Sequence, residues 1–114
     1  MIKQKSILIV DDDKILSEAI QGLLEGHGNF VSYCDNGMDA VNLAQQRDYD
    51  MILTDFNMPG MTGVEVCRSI RHHRPDALIV GFSIESKEQD FVNAGANKFI
   101  FKEELVLTLL SYVN

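Results

Sequence analysis

Apolar residues come in short blocks along this chain, and the blocks alternate with stretches of helical periodicity. Ser6 to Val10 reads SILIV, a continuous apolar run followed by acids, which suits a strand buried on both faces. Ile15 to Glu25 carries Leu16, Ile20, Leu23 and Leu24 on one helical face, and Gly26-His27-Gly28 ends it. Phe30 to Cys34 is a second strand. After the turn Asp35-Asn36-Gly37, the residues Met38, Val41 and Ala44 form a second helical stripe.

Met51 to Thr54 is a third apolar run, interrupted beyond its end by Pro59-Gly60. Thr62-Gly63-Val64-Glu65 has capping-box spacing, so a third helix begins there and runs to about His72, with Pro75 as its stop. Leu78 to Phe82 is a fourth strand. Ser86 and Gln89 have the spacing of a second capping box, and Gly95 closes the helix that would follow. Lys98 to Phe101 is a fifth strand, and Glu104 to Val113 a last short helix.

Five strand-helix units with no internal linker imply an α/β domain: a parallel sheet with helices on both faces. The 114 residues are one domain with little left over, enough to bury a core without metal or disulfide staples. Hydrophobic residues at 46% and charged residues at 24% exclude a disordered or collagen-like chain. The formal charge of -7 argues against direct binding to nucleic acid or anionic membrane. Cys34 and Cys67 form no C-x-x-C pair and read as reduced thiols. The N-terminal lysines, Lys3 and Lys5, precede no signal-peptide apolar region, and no apolar run is long enough to span a membrane. The expected location is cytoplasmic.

In parallel sheets the functional site lies beyond the C-terminal strand ends, and those ends carry the unusual residues. Asp11, Asp12 and Asp13 follow the first strand, Asp55 ends the third, Ser83 follows the fourth, and the fifth runs into Lys102. Two carboxylates about 4 Å apart repel by roughly 4 kcal/mol at an effective dielectric near 20. A divalent cation removes that conflict, and oxygen-only ligands suit Mg²⁺. A carboxylate on a separate strand is then available as a nucleophile for phosphoryl transfer. Lys102 can pair with one phosphoryl oxygen and the Ser83 hydroxyl with another. Asp13 opens a helix, where Asp is a favoured cap, so it is not counted among the ligands.

ILIVDDD at Ile7–Asp13, LTDFNMPGMTG at Leu53–Gly63, Ser83 after an apolar strand, and GANKFIFK at Gly95–Lys102 together resemble the response-regulator receiver family of two-component signalling. The resemblance spans residues 1–114 and implies a flavodoxin-like (βα)5 three-layer sandwich, strand order 2-1-3-4-5. It implies Asp55 as phosphoacceptor, with Asp12, Asp55 and the Asn57 carbonyl on Mg²⁺ and Asp11 acting through metal-bound water. Ser83 and Lys102 would contact the phosphoryl group, and Ser83 with Phe99 would form the switch. It also implies a phosphohistidine donor, on a histidine kinase or histidine phosphotransfer domain, and a downstream protein or output domain. No output domain lies within these residues, which fits a single-domain regulator, a relay intermediate or an excised receiver.

The chain departs from the family pattern in three places. Glu103 replaces the proline that usually follows the lysine, so a trans bond is expected there. Ser83 and Lys102 are 102 − 83 = 19 apart, about three fewer than usual, so the fourth helix is shortened, as is the fifth. The face these helices build is trimmed, and the expected state is a monomer or weak dimer. Ile84 stands where a small residue is usual and predicts slow labelling by small phosphodonors, whereas the Asn57 and Glu85 pair matches fast-hydrolysing members. Two other readings remain open at this stage. One is a pseudo-receiver that binds a partner without phosphorylation. The other is a haloacid-dehalogenase-type phosphatase, whose nucleophile motif Asp11-x-Asp13 resembles.

Overall fold

The computed structural model describes residues 4–113, with side chains for residues 4–111; Lys3, one of the two N-terminal lysines, lies outside them. Its elements are β1 (Ser6–Val10), α1 (Lys14–Gly26), β2 (Phe30–Cys34), α2 (Gly37–Gln46), β3 (Met51–Asp55), α3 (Gly63–His73), β4 (Leu78–Ser83), α4 (Glu88–Asn93), β5 (Lys98–Phe101) and α5 (Leu105–Val113), with a 3₁₀ turn over Lys102–Glu104 before α5. The sheet is parallel throughout, in the order β2-β1-β3-β4-β5. The expected flavodoxin-like topology is therefore present.

Strand alternation divides the core in two. Leu8, Val10, Ile52 and Ile79 point to one face, where α2, α3 and α4 cover them with Ala40, Ala44, Val66, Cys67, Ile70 and Phe91. Ile7, Ile9, Met51, Leu53, Val80 and Phe82 point to the other, covered by Ile20 and Leu24 of α1 and Leu105 and Leu109 of α5. A sheet buried on both sides needs uninterrupted apolar strands, which is why SILIV and MILT do not alternate.

Local signals fix the helix starts. Asp13 caps α1, its side chain accepting from the Leu16 N–H. Thr62 and Glu65 form the expected reciprocal capping box at α3. The second capping box does not form: α4 starts after Lys87 with no side-chain cap, and Gln89 instead bonds Asn93. In α2 Ala44 is buried as expected, but the earlier part of the stripe is displaced by one residue, burying Gly37 and Ala40, with Val41 only partly buried and Met38 exposed. Gly37 has no room for a side chain beside Val66 and Met61, so the smallest residue faces the core and rotates Met38 outward. In α1 the buried positions are Ser17, Ile20 and Leu24, with Leu16 packed partly against them and Leu23 only half-buried.

The basic stretch at the end of α3 is more than a solvated helix end. The Arg71 guanidinium donates to the Gly95, Arg74 and Pro75 carbonyls and to Asn97 Oδ1, tying α3 to the α4–β5 turn. Arg74 donates to the Ala44 and Gln45 carbonyls and pairs with Asp48 at 2.6 Å. His72 and His73 are exposed, as expected. The six-residue α4 and nine-residue α5 are short, matching the shortened spacing. No peptide bond among the described residues is cis, so the chain leaves Lys102 through the 3₁₀ turn on a trans bond.

Candidate functional site

The C-terminal ends of β1, β3 and β5 bring four charged side chains together. Asp11, Asp12 and Asp55 each place a carboxylate oxygen within 4.8 Å of the others. Lys102 Nζ lies 3.5 Å from Asp55 Oδ2 and 3.9 Å from both Asp11 Oδ2 and Asp13 Oδ2. Asp11 is 0% exposed and Asp55 3%, whereas Asp12 opens to solvent. Two buried carboxylates thus face one ammonium, and a third stands at the rim.

Backbone bonds hold the acids in place. Asp11 Oδ1 accepts from the Asp13 N–H, which turns the chain from β1 into α1. The Asp11 N–H donates to the Cys34 carbonyl, and the Tyr33 hydroxyl donates to the Asp11 carbonyl at 3.0 Å. Beyond β3, the Phe56 N–H donates to the Phe82 carbonyl and the Gly63 N–H to the Phe56 carbonyl. A Cβ on Gly63 would lie 1.9 Å from the Asp55 carbonyl oxygen, so only glycine lets α3 start this close to Asp55.

The electrostatics follow from that crowding. Burial pushes the Asp11 carboxyl up from 3.8 to about 7; the bond from the Asp13 N–H opposes this, the neighbouring Asp55 carboxyl adds to it, and Lys102 opposes it. Asp11 Oδ2 is buried without a hydrogen-bond partner. An orphaned buried oxygen aimed at two further carboxylates fits a hard divalent cation, which would satisfy it and screen the repulsion. The donor set is all oxygen, which suits Mg²⁺ or Ca²⁺ over a thiol-preferring metal.

Of the remaining residues singled out in the sequence, Ser83 lies at the same end of the sheet and Phe99 within β5. Ser83 is 3% exposed, and its Oγ accepts from the Glu85 N–H at 3.1 Å. Asn57 is exposed, two residues past Asp55. Phe99 is half-buried, its ring 5.9 Å from Phe91 and 5.2 Å from Phe101. Ile84 is 80% exposed beside Ser83. Asp13 spends its side chain on the α1 cap and lies outside the three-carboxylate group. Cys34 and Cys67 are buried free thiols, held protonated by burial.

The sequence reading missed three participants. Tyr33 anchors the Asp11 backbone, Phe56 extends an aromatic row from the Asp55 loop to Phe91, and Lys87 lays its ammonium over the Phe56 ring. Each acts across strands or from a loop, and periodicity carries no signal for such contacts.

Comparison with known proteins agrees with this geometry. A family model described as "Response regulator receiver domain" matches residues 7–114. The chain is 32% identical over 113 residues to the chemotaxis protein CheY-3 of Vibrio cholerae, covering 94% of this chain and 87% of that one. Among solved structures it is similar to Vibrio cholerae CheY4, with TM-score 0.86, 28% identity, and coverage of 98% of this chain and 100% of that chain. It also resembles the receiver domain of a Pseudomonas aeruginosa sensor histidine kinase, described with a magnesium ion coordinated in the active site cleft. There the TM-score is 0.82 and identity 25%, with coverage of 97% of this chain and 98% of that chain.

Proposed function

Because this chain belongs to the response-regulator receiver family of two-component, phosphorylation-dependent signalling, we propose that Asp55 is the side chain on which it carries the phosphoryl group. The observation that carries this reading is the position of Lys102 Nζ, 3.5 Å from Asp55 Oδ2, opposite a group of three carboxylates. The family is a signalling one rather than a family of conventional enzymes. The chemistry proposed here is confined to the protein's own side chain.

Phosphoryl arrival is a nucleophilic displacement. An Asp55 carboxylate oxygen attacks phosphorus, the P–N bond of a phosphohistidine breaks, and its electron pair returns to the imidazole of a histidine kinase or histidine phosphotransfer domain. Lys102 pairs with one phosphoryl oxygen as a point charge, and its largely buried ammonium keeps that pairing partly shielded from solvent. Ser83, at the end of β4, would donate its hydroxyl to another oxygen. Asp11, Asp12, Asp55 and the Asn57 carbonyl would hold Mg²⁺. The cation supplies charge neutralisation for the transferring group when bound, and the magnesium in the Pseudomonas aeruginosa relative supports that choice of ion. Water later attacks phosphorus, the P–O bond to Asp55 breaks, and inorganic phosphate leaves with Asp55 restored to the carboxylate.

The readout belongs to the β4–α4–β5 side. Phe99 is packed only partly into the core, and it would turn further inward when Ser83 engages the phosphoryl group. A downstream protein or output domain would read that change. Two buried thiols fit a reducing, cytoplasmic setting; among the described residues no helix is long and apolar enough to cross a membrane.

Phosphoramidate, which offers a P–N bond like that of phosphohistidine, tests the reading. With Mg²⁺ it should place one base-labile phosphoryl group on the wild-type protein, lost with EDTA and in Asp55→Asn. Equal labelling of Asp55→Asn would refute the assignment.

A further inference from the structure

The Lys87 ammonium lies 4.6 Å over the ring of Phe56, the residue next to Asp55 in the chain. We propose, building on the Asp55 reading, that Lys87 is a second cation of the phosphoryl site. It rests on Phe56 in the unmodified protein, moves onto the phosphoryl group when Asp55 is modified, and carries the start of α4 with it.

The chain puts Lys87 at the end of the sheet that carries the site. The Phe56 backbone is fixed at the site end of the sheet, its N–H on the Phe82 carbonyl at 3.0 Å. Lys87 is only four residues past Ser83, in the loop whose first turn is pinned by the Ser83 hydroxyl accepting from the Glu85 N–H. One loop therefore presents both the hydroxyl that meets the phosphoryl group and a long, flexible cationic side chain. A cation over a ring at a half-exposed position is held weakly, whereas an ammonium on a phosphoryl oxygen makes a charge-assisted hydrogen bond. The stronger acceptor wins once it is present. Before that, Lys102 already serves the buried carboxylates, so Lys87 is not needed there.

The consequence for α4 follows from packing. Lys87 occupies the cap position of α4 with no side-chain cap bond, and its carbonyl accepts from the Phe91 N–H at 3.0 Å. Phe91 is fully buried against Gly81, where a Cβ would lie 2.4 Å from its ring. Phe91 also meets Phe56 edge-on at 6.3 Å and Phe99 at 5.9 Å. A displaced Lys87 thus pulls the first turn of a six-residue helix whose one fully buried aromatic abuts the proposed switch residue.

Beryllofluoride in the presence of Mg²⁺ is the probe, with wild type, Lys87→Met and Lys87→Arg compared by amide chemical shifts. Lys87→Met keeps the apolar stem and should weaken beryllofluoride binding roughly tenfold, the loss expected for one partly screened charge-assisted bond. Mg²⁺ alone should bind no more weakly than to wild type, and Lys87→Arg should restore most of the affinity. Beryllofluoride-induced shifts of residues 88–93 should shrink in Lys87→Met while those of Ser83 and Lys102 persist. Wild-type beryllofluoride affinity in Lys87→Met, or an equal weakening for Mg²⁺ alone, would overturn the Lys87 inference and leave Asp55 untouched. If the wild-type protein itself binds no beryllofluoride with Mg²⁺, the Asp55 reading fails and this inference with it.

Discussion

Asp11→Asn isolates the electrostatic cost at the centre of the site. Asp11 is buried, and its carboxyl is pushed up from 3.8 to about 7, chiefly by burial. The folded chain therefore keeps a proton that the unfolded chain releases as pH rises from about 4. The sign follows: the contribution to stability is fully present below about pH 4 and is lost as pH rises towards about 7. At 1.36 kcal/mol per tenfold change in proton affinity, the loss is on the order of 4 kcal/mol if nothing relaxes. Water entry reduces it, so about 2–3 kcal/mol is expected, a large fraction of the 5–15 kcal/mol typical of a domain. Asparagine keeps an Oδ1 acceptor for the Asp13 N–H and replaces the orphaned Oδ2 by a donor facing Asp55. Urea unfolding in EDTA at intervals from pH 5 to pH 8 measures the effect without adding salt. The variant should be more stable than wild type by a margin that grows with pH. Magnesium at about 100 times its Kd should return about 2.7 kcal/mol to wild type and much less to the variant. A margin that stays flat across this range would refute the reasoning.

Further predictions concern other parts of the fold. Gly63→Ala forces a Cβ into the Asp55 carbonyl and should cost about 2 kcal/mol or more, with weaker Mg²⁺ binding by calorimetry; unchanged values would mean the loop gives way freely. Arg71→Met strips a donor from three carbonyls and Asn97 and should lower unfolding free energy by about 2–4 kcal/mol with an unchanged m-value. The short α4 and α5 leave little surface for self-association, so the beryllofluoride form should sediment as a monomer; a tight dimer would contradict that.

Much of this molecule is readable one segment at a time. β1, β2 and β5 begin and end as read from the sequence, whereas β3 and β4 each run one residue further, to Asp55 and Ser83, because ladder pairing with Phe82 and Phe101 continues past the last apolar residue. Asp13 and the Thr62–Glu65 pair announce helix starts because capping is settled within four residues. Ser86 and Gln89 have the same spacing and do not cap, since α4 begins after Lys87 and Gln89 turns to Asn93. Met38 misled for a different reason: tight packing on Val66 and Met61 selects Gly37 for the core-facing position, and hydrophobicity alone cannot anticipate that. The Asp11, Asp12, Asp55 and Lys102 grouping was legible because a parallel sheet gathers its strand ends at one edge. Arg71, Arg74 and Tyr33 were not, because each bonds to backbone carbonyls in a segment far along the chain, where any residue type supplies the acceptor, and Lys87 was not, because its ring partner Phe56 lies on a distant loop.

The most direct measurement is chemical mapping of the phosphoryl group. After treatment with Mg²⁺ and phosphoramidate, borohydride reduces an aspartyl phosphate to homoserine, and peptide mass spectrometry reads the position. Homoserine at residue 55, dependent on Mg²⁺ and greatly diminished in Lys102→Met, is the predicted result. Homoserine at residue 11, 12 or 13 with residue 55 unchanged would contradict the account.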